Sequence, residues 1–162
     1  MSLTSSELAE KLNDRRLGKG IFFMPAVDHH VIRLRISNKE VLAHTNHVGM
    51  AIAQLQFSVA VTGFLYSIPA CVFGFVPIWK GVAESWMLVD DMARERPLAM
   101  TKGGRLAHDI AKISLGLHRQ QITVRIDDKR AHKWALALGF REEALMRHYG
   151  PDMSDYFLMA RF

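Results

Sequence analysis

Cysteine is nearly absent from this chain: Cys71 is the only one. That excludes an internal disulfide framework and any zinc site built on cysteines, and it points to a reducing compartment. Set in an apolar run, Cys71 reads as a small core residue. Charge is missing from a long stretch. Between Glu40 and Lys80 there is no Asp, Glu, Lys or Arg. The apolar part, Phe57–Trp79, has the length of a bilayer span. Gly63, Pro69, Gly74 and Pro77 punctuate it as strand and turn residues do, and its Val, Phe and Tyr content favours sheet. Two buried strands are therefore predicted there, and no membrane partner. The polar start, Met1–Glu10, does not have the pattern of a signal peptide. Repeats and low-complexity tracts are also lacking.

The 162 residues are 49% hydrophobic and 23% charged, which suits a single domain with a real core. The net charge of +5 suggests an acidic partner such as a phosphate-bearing ligand. Aromatic residues are not interleaved with the basic ones, which argues against a nucleic-acid stacking platform.

Periodicity gives an element order. Ser5–Leu17 reads as an amphipathic helix with Leu8, Leu12 and Leu17 on one side, capped by Ser5 or Ser6 and ended by Gly18 and Gly20. Ile21–Val27 is extended around Pro25. Val31–Ile36 alternates as a strand. A second helix starts at Ser37 or Asn38 and carries Val41, Leu42, Thr45, Val48, Ile52 and Leu55 at helical spacing. Strands follow at Phe57–Ile68, Ala70–Ile78 and Val82–Asp90, with turns at Ser67–Ala70 and Trp79–Gly81. The last of these strands puts Glu84, Trp86 and Leu88 on one face and Ala83, Ser85, Met87 and Val89 on the other. A charged loop, Asp90–Pro97, leads into a helix running to about His118 and ended near Gly116. Gln121–Ile126 is a strand, and Asp128–Leu138 a helix with Asp128 as N-cap and Gly139 as the left-handed C′ residue. Glu143–Tyr149 and Tyr156–Arg161 close the chain as a strand pair around Gly150–Asp152. The fold class is thus α/β with a mixed sheet: an antiparallel meander, a parallel strand–helix–strand crossover, and a C-terminal strand pair. Residues 1–20 form an N-terminal helical extension and 21–162 a single domain.

The segment Asp128–Phe140, ending Leu138-Gly139-Phe140, resembles the signature near the end of the GNAT N-acetyltransferases. Glu143–Tyr149 and Asp155–Met159 look like that family's last two strands, and the element order matches from Val31 to Phe162. The resemblance implies acetyl-CoA or CoA as cofactor, held where the fourth and fifth strands splay. Trp86, Met87, Leu88 and Val89 would wall the thioester arm, and backbone N–H groups on the Trp86–Asp90 edge would polarise its carbonyl. Asp128 stands where the family has Asn, and also fits a plain helix cap.

Departures are equally visible. Only Lys102-Gly103-Gly104-Arg105 resembles the family's pyrophosphate loop, and here that loop is expected over Arg94–Arg105. Lys102, Arg105, Arg94 and Arg96 either neutralise a CoA phosphate or form a solvated basic loop. Ala135 stands where the family keeps a proton-donating Tyr, with Trp134 beside it. Glu84 is the best-placed general base, or else a rim residue, and Tyr149 and His148 are further proton-transfer candidates.

Leu65–Pro69, Trp86–Val89 and Trp134–Phe140 resemble the GNAT-like internal virion proteins of short-tailed phages. That resemblance implies virion assembly or an internal core role, virion proteins as partners, a degenerate acyl-CoA site, and a location in the host cytoplasm or a phage particle. The alternative is an active acetyl-CoA-dependent N-acyltransferase acting on a protein or small amine. His29-His30 and the pair His44/His47 lack acidic or cysteine partners nearby, so no metal site is expected.

Overall fold

A computed structural model describes residues 2–36 and 47–162. The expected start of the second helix, including Val41, Leu42, Thr45 and His44, lies outside those residues.

The first helix, α1 (Ser5–Asn13), opens with a capping box: the Glu7 N–H donates to Thr4 Oγ1 at 3.2 Å, and the Thr4 N–H to Glu7 Oε2 at 2.7 Å. Thr4 is thus the cap, while Ser5 Oγ accepts from the Ala60 N–H instead. Leu8 and Leu12 are fully buried. The helix stops at Asn13 rather than Leu17 because the Asn13 amide pairs with both backbone groups of Phe23, at 2.7 and 3.0 Å. Phe23 lies on β1 (Ile21–Pro25), an edge strand, so Asn13 satisfies groups no neighbouring strand reaches.

The strand expected at Val31–Ile36 is not one. Asp28–Ile32 forms a short helix, α2, with Val31 1% exposed beneath it. β1 already fills the place beside the next strand, and four alternating residues fit either period. Residues 33–36 instead run past the far end of the sheet, where the Arg35 N–H donates to Asp90 Oδ2 at 2.6 Å. Helix α3 (His47–Leu55) packs with α2 against Val72, Trp86 and Leu88.

The charge-poor stretch forms strands, as its composition predicts: β2 (Val59–Leu65) and β3 (Ile68–Trp79). Among the described residues no helix is long and apolar enough to cross a membrane. The turn between them is Tyr66-Ser67, both with positive φ, rather than one built on Pro69. Pro69 sits inside β3 beside a register shift at Gly63/Phe64, where its missing N–H leaves no gap in the ladder. After Lys80-Gly81 comes β4 (Val82–Val89), then a 3₁₀ turn (Asp91–Glu95) and the long helix α4 (Pro97–Ser114). β5 (Arg119–Arg125), helix α5 (Lys129–Ala137), β6 (Arg141–Met146) and β7 (Tyr156–Arg161) complete the chain.

The sheet order is β1-β2-β3-β4-β5-β7-β6, antiparallel except for the parallel pair β4–β5. α1 and α4 cover one face through Leu8, Leu12, Ala107 and Ala111 on Phe73, Phe75 and Ala83. α5 joins them on that face, through Val124 and Met159, and α2 and α3 cover the other. The α5 exit is a Schellman motif: Gly139 has φ +95°, its N–H reaches Leu136 O, and the Phe140 N–H reaches Ala135 O at 3.1 Å. This drives Phe140 to full burial against His108. The expected mixed α/β architecture, with its meander, crossover and C-terminal strand pair, is the one observed.

Candidate active site

β4 and β5 run side by side for three residue pairs only: Val82↔Arg119, Ala83↔Gln120 and Glu84↔Gln121. Past Glu84 the strands part, and β5 continues its ladder with β7 alone from Ile122 to Arg125. A V-shaped opening results, closed at Glu84 and open toward the C-terminal ends of both strands. β4 backbone from Ser85 to Val89 therefore faces the opening without a β5 partner.

Alternation sorts the expected wall residues by face. Glu84, Trp86 and Leu88 point toward α2 and α3. Glu84 Oε2 accepts from Gln121 Nε2 at 3.4 Å, and Trp86 Nε1 donates to Ser58 Oγ at 3.3 Å. Ser85, Met87 and Val89 point toward α4, where Met87 and Val89 pack into the two clusters beneath it. Ser85 Oγ is buried with no hydrogen-bond partner.

The expected loop at Arg94–Arg105 is a helix from Pro97 onward. Proline suits a first helical position, since its missing N–H would be unsatisfied there anyway. Gly103 and Gly104 lie inside α4, so their N–H groups belong to its ladder. A Cβ on Gly104 would come within 2.9 Å of Leu138 and 3.2 Å of Trp134; Gly104 thus lets α5 press against α4. Arg105 Nε donates to Ala137 O at 2.8 Å, away from the start of α4, and Lys102 is exposed one turn into the helix.

The start of α4 is what faces the mouth of the V. No side chain caps it, so its first N–H groups remain available to an anion. Arg94 and Arg96 precede it. Arg94 Nε is buried with no hydrogen-bond partner. Across the mouth, Arg130 Nη2 donates to Arg94 O at 3.1 Å and ties the start of α5 to this turn. An uncapped helix start, an orphaned guanidinium N–H and two further arginines match a phosphate group in charge and hydrogen bonding. Arg130 was missed by reading the sequence. Its signal was there: the first turn of α5 carries Lys129 and Arg130 but no acid, against the helix dipole.

Asp128 caps α5, with Oδ1 accepting from the Ala131 N–H at 2.9 Å. Ala135 is 2% exposed in the core below. Tyr149, 53% exposed, stacks edge-on against Tyr156 at 5.3 Å. Tyr156 pairs with Arg125, four residues along β5 from Gln121. That separation is about 13 Å, so Glu84 and Tyr149 flank opposite ends of one groove rather than one reacting atom. His148 beside it has φ +54°, its N–H held by Asp155 Oδ1. Arg125 bridges Asp127 and Asp152 at 2.7 and 2.6 Å. Ser154 and Arg125 together hold the Asp152 carboxyl below its ordinary range. His30 Nδ1 lies 2.8 Å from Thr62 Oγ1, and burial lowers its pKa. Among the described residues no group of three or more His, Cys, Asp or Glu side chains is arranged to hold a metal.

The fold is that of the GNAT acetyltransferases. A GNAT-family acetyltransferase from Bacillus anthracis superposes with a TM-score of 0.70 at 11% identity, covering 89% of this chain and 95% of that one. The RimL ribosomal-protein α-N-acetyltransferase, solved with coenzyme A, gives 0.67 at 14%, covering 90% and 96%. The microcin C7 self-immunity acetyltransferase MccE, solved with acetyl-CoA and AMP, gives 0.66 at 14%, covering 90% and 94%. Neither family models nor curated protein sequences match the chain.

Proposed function

We propose that this protein is an acyl-CoA-dependent N-acyltransferase acting on a protein or small amine. The observation that carries the proposal is the end of β4–β5 pairing at Glu84↔Gln121, which opens a slot lined by unpaired β4 backbone beside a carboxylate. The uncapped start of α4, with Arg94, Arg96 and Arg130, supports a diphosphate at the mouth of that slot. When bound, acyl-CoA supplies the acyl group as an activated thioester. In this reading Glu84 takes a proton from an attacking amine, directly or through one water. The β4 N–H groups past Glu84, which lack a β5 partner, then stabilise negative charge on a carbonyl oxygen. Asp128 fixes the start of α5, and Tyr149, against Tyr156 at the far end of the groove from Glu84, takes no part in the proton transfer.

A second reading, a virion or assembly protein that keeps the fold with a degenerate acyl-CoA site, is favoured by Ala135. No hydroxyl stands at that buried position to protonate a leaving thiolate. Calorimetry with CoA and acetyl-CoA, followed by thiol release in the presence of amines, tests the choice. Micromolar binding and amine-dependent thiol release support the transferase; absence of binding to either compound would sink it and favour the second reading.

A further inference from the structure

Beside β4 lies a cavity of about 70 Å³ between the sheet and the first two turns of α4. Its lining includes Leu17, Gly63, Cys71, Met87, Met100 and Gly103. Burial pushes the Cys71 thiol up to about 11, so it remains a neutral thiol and an apolar wall. Such a space, its lining apolar but for Arg96 at the edge, favours apolar atoms over water. Its room corresponds to about five water-sized groups.

Two walls are glycines where the backbone does not ask for glycine. Neither Gly63, inside β2, nor Gly103, inside α4, has a positive φ. Glycine weakens the interior of a strand or a helix. A Cβ on Gly63 would come within 3.0 Å of Cys71 Sγ, and one on Gly103 within 3.1 Å of Leu17 Cδ1. Side chains there would crowd Cys71 and Leu17, both of which line the cavity.

The cavity adjoins the site already described. Met87 belongs to the part of β4 that has left β5 and points to the α4 face. Arg96, at the start of α4, stands at the cavity's edge. Phosphates held at the start of α4 and a thioester lying along β4 would set the acyl carbons beside Met87, an unbranched side chain that adapts to a neighbour.

We infer, on the basis of the transferase reading, that the cavity receives the aliphatic chain of the acyl donor, so that the preferred donors are acyl-CoAs of about four to six carbons rather than acetyl-CoA. Calorimetry on the wild-type chain with CoA, acetyl-, butyryl- and hexanoyl-CoA tests this. The expected result is tighter binding with each added methylene, roughly fourfold per group buried, so that the two methylenes from acetyl to butyryl give about a sixteenfold gain. Cys71→Leu should erase that gain while CoA itself binds as to the wild type. Butyryl- and hexanoyl-CoA binding no tighter than acetyl-CoA overturns the inference and leaves the transferase reading standing. No binding of CoA or of any thioester overturns both. If Cys71→Leu folds poorly, the wild-type series decides alone.

Discussion

Glu84 and Gln121 form the last rung between β4 and β5, their side chains 3.4 Å apart on the face covered by α2 and α3. The carboxylate therefore sits at the apex of the V, where backbone partners run out. Replacing it with the isosteric amide, Glu84→Gln, removes the base and leaves the shape. Amine transfer should fall at least about a hundredfold. CoA affinity by calorimetry should stay within twofold, and stability within about 0.5 kcal/mol. A variant retaining full activity would remove Glu84 from the mechanism.

Arginine function at the mouth separates by geometry. Arg94 has a buried Nε without a partner, while Arg105 spends its Nε on Ala137 O. A charge-assisted hydrogen bond is worth about 1.5–3 kcal/mol, so Arg94→Ala should weaken CoA binding at least roughly tenfold. The loss should shrink at high salt. Arg105→Ala should change affinity far less. Titrations of both variants at two salt concentrations check the contrast; equal losses would return the phosphate contact to the middle of α4.

Legibility in the sequence followed locality. The Asp128 cap and the Gly139 exit are decided by neighbours within a few residues, and both read correctly. Alternation along β4 likewise put Glu84, Trp86 and Leu88 on one face. Val31–Ile36 failed because a short alternating run satisfies helix and strand alike, and long-range packing chose. The basic loop failed because Gly103-Gly104 looks like a phosphate cradle by composition. Its real reason is the close approach of Leu17 on one side and of Trp134 and Leu138 on the other. The Arg130 to Arg94 tie crosses 36 positions, and its one local signal is the first turn of α5, basic and without an acid.

Acid should weaken the fold through His108. Its Nδ1 meets Gln120 Oε1 at 2.5 Å, and Gln120 Nε2 donates back to His108 O at 2.8 Å. Phe75 and Phe140 pack edge-on against the ring. Burial pushes its pKa from 6.5 down to about 4. The folded-state pKa lies below the unfolded one, so on acidification the unfolded chain takes up the proton first. This contribution is fully present above pH 6.5 and is lost as pH falls toward about 4. The loss amounts to about 3 kcal/mol across that window. Urea denaturation at several pH values checks it, with His108→Asn as the comparison. The variant is less stable at neutral pH but should lose this part of the slope; an unchanged slope would assign the acid sensitivity to other groups.

Gly74 and Trp86 face each other across β3 and β4, and the indole lies directly over the glycine. A Cβ at Gly74 would meet Ala60 Cβ at 2.8 Å, Trp86 Nε1 at 3.0 Å and Val59 O at 3.1 Å. Ala60 Cβ and the Val59 carbonyl are both fixed to the backbone, so of the three neighbours only the indole can swing away. Gly74→Ala should destabilise the fold by about 1–3 kcal/mol through overpacking, and it should break the Trp86 Nε1 bond to Ser58 Oγ. Trp86 is two residues from Glu84 on the same face, so amine transfer should fall as well. Trp86→Phe provides the control: it loses that hydrogen bond but frees space above residue 74. If the clash is the cause, the double variant Gly74→Ala/Trp86→Phe will be more stable than the sum of the single losses allows, by about 0.5 kcal/mol or more. Denaturation of the four proteins closes the cycle, and additive losses would place the strain at Ala60 and the Val59 carbonyl rather than at the indole.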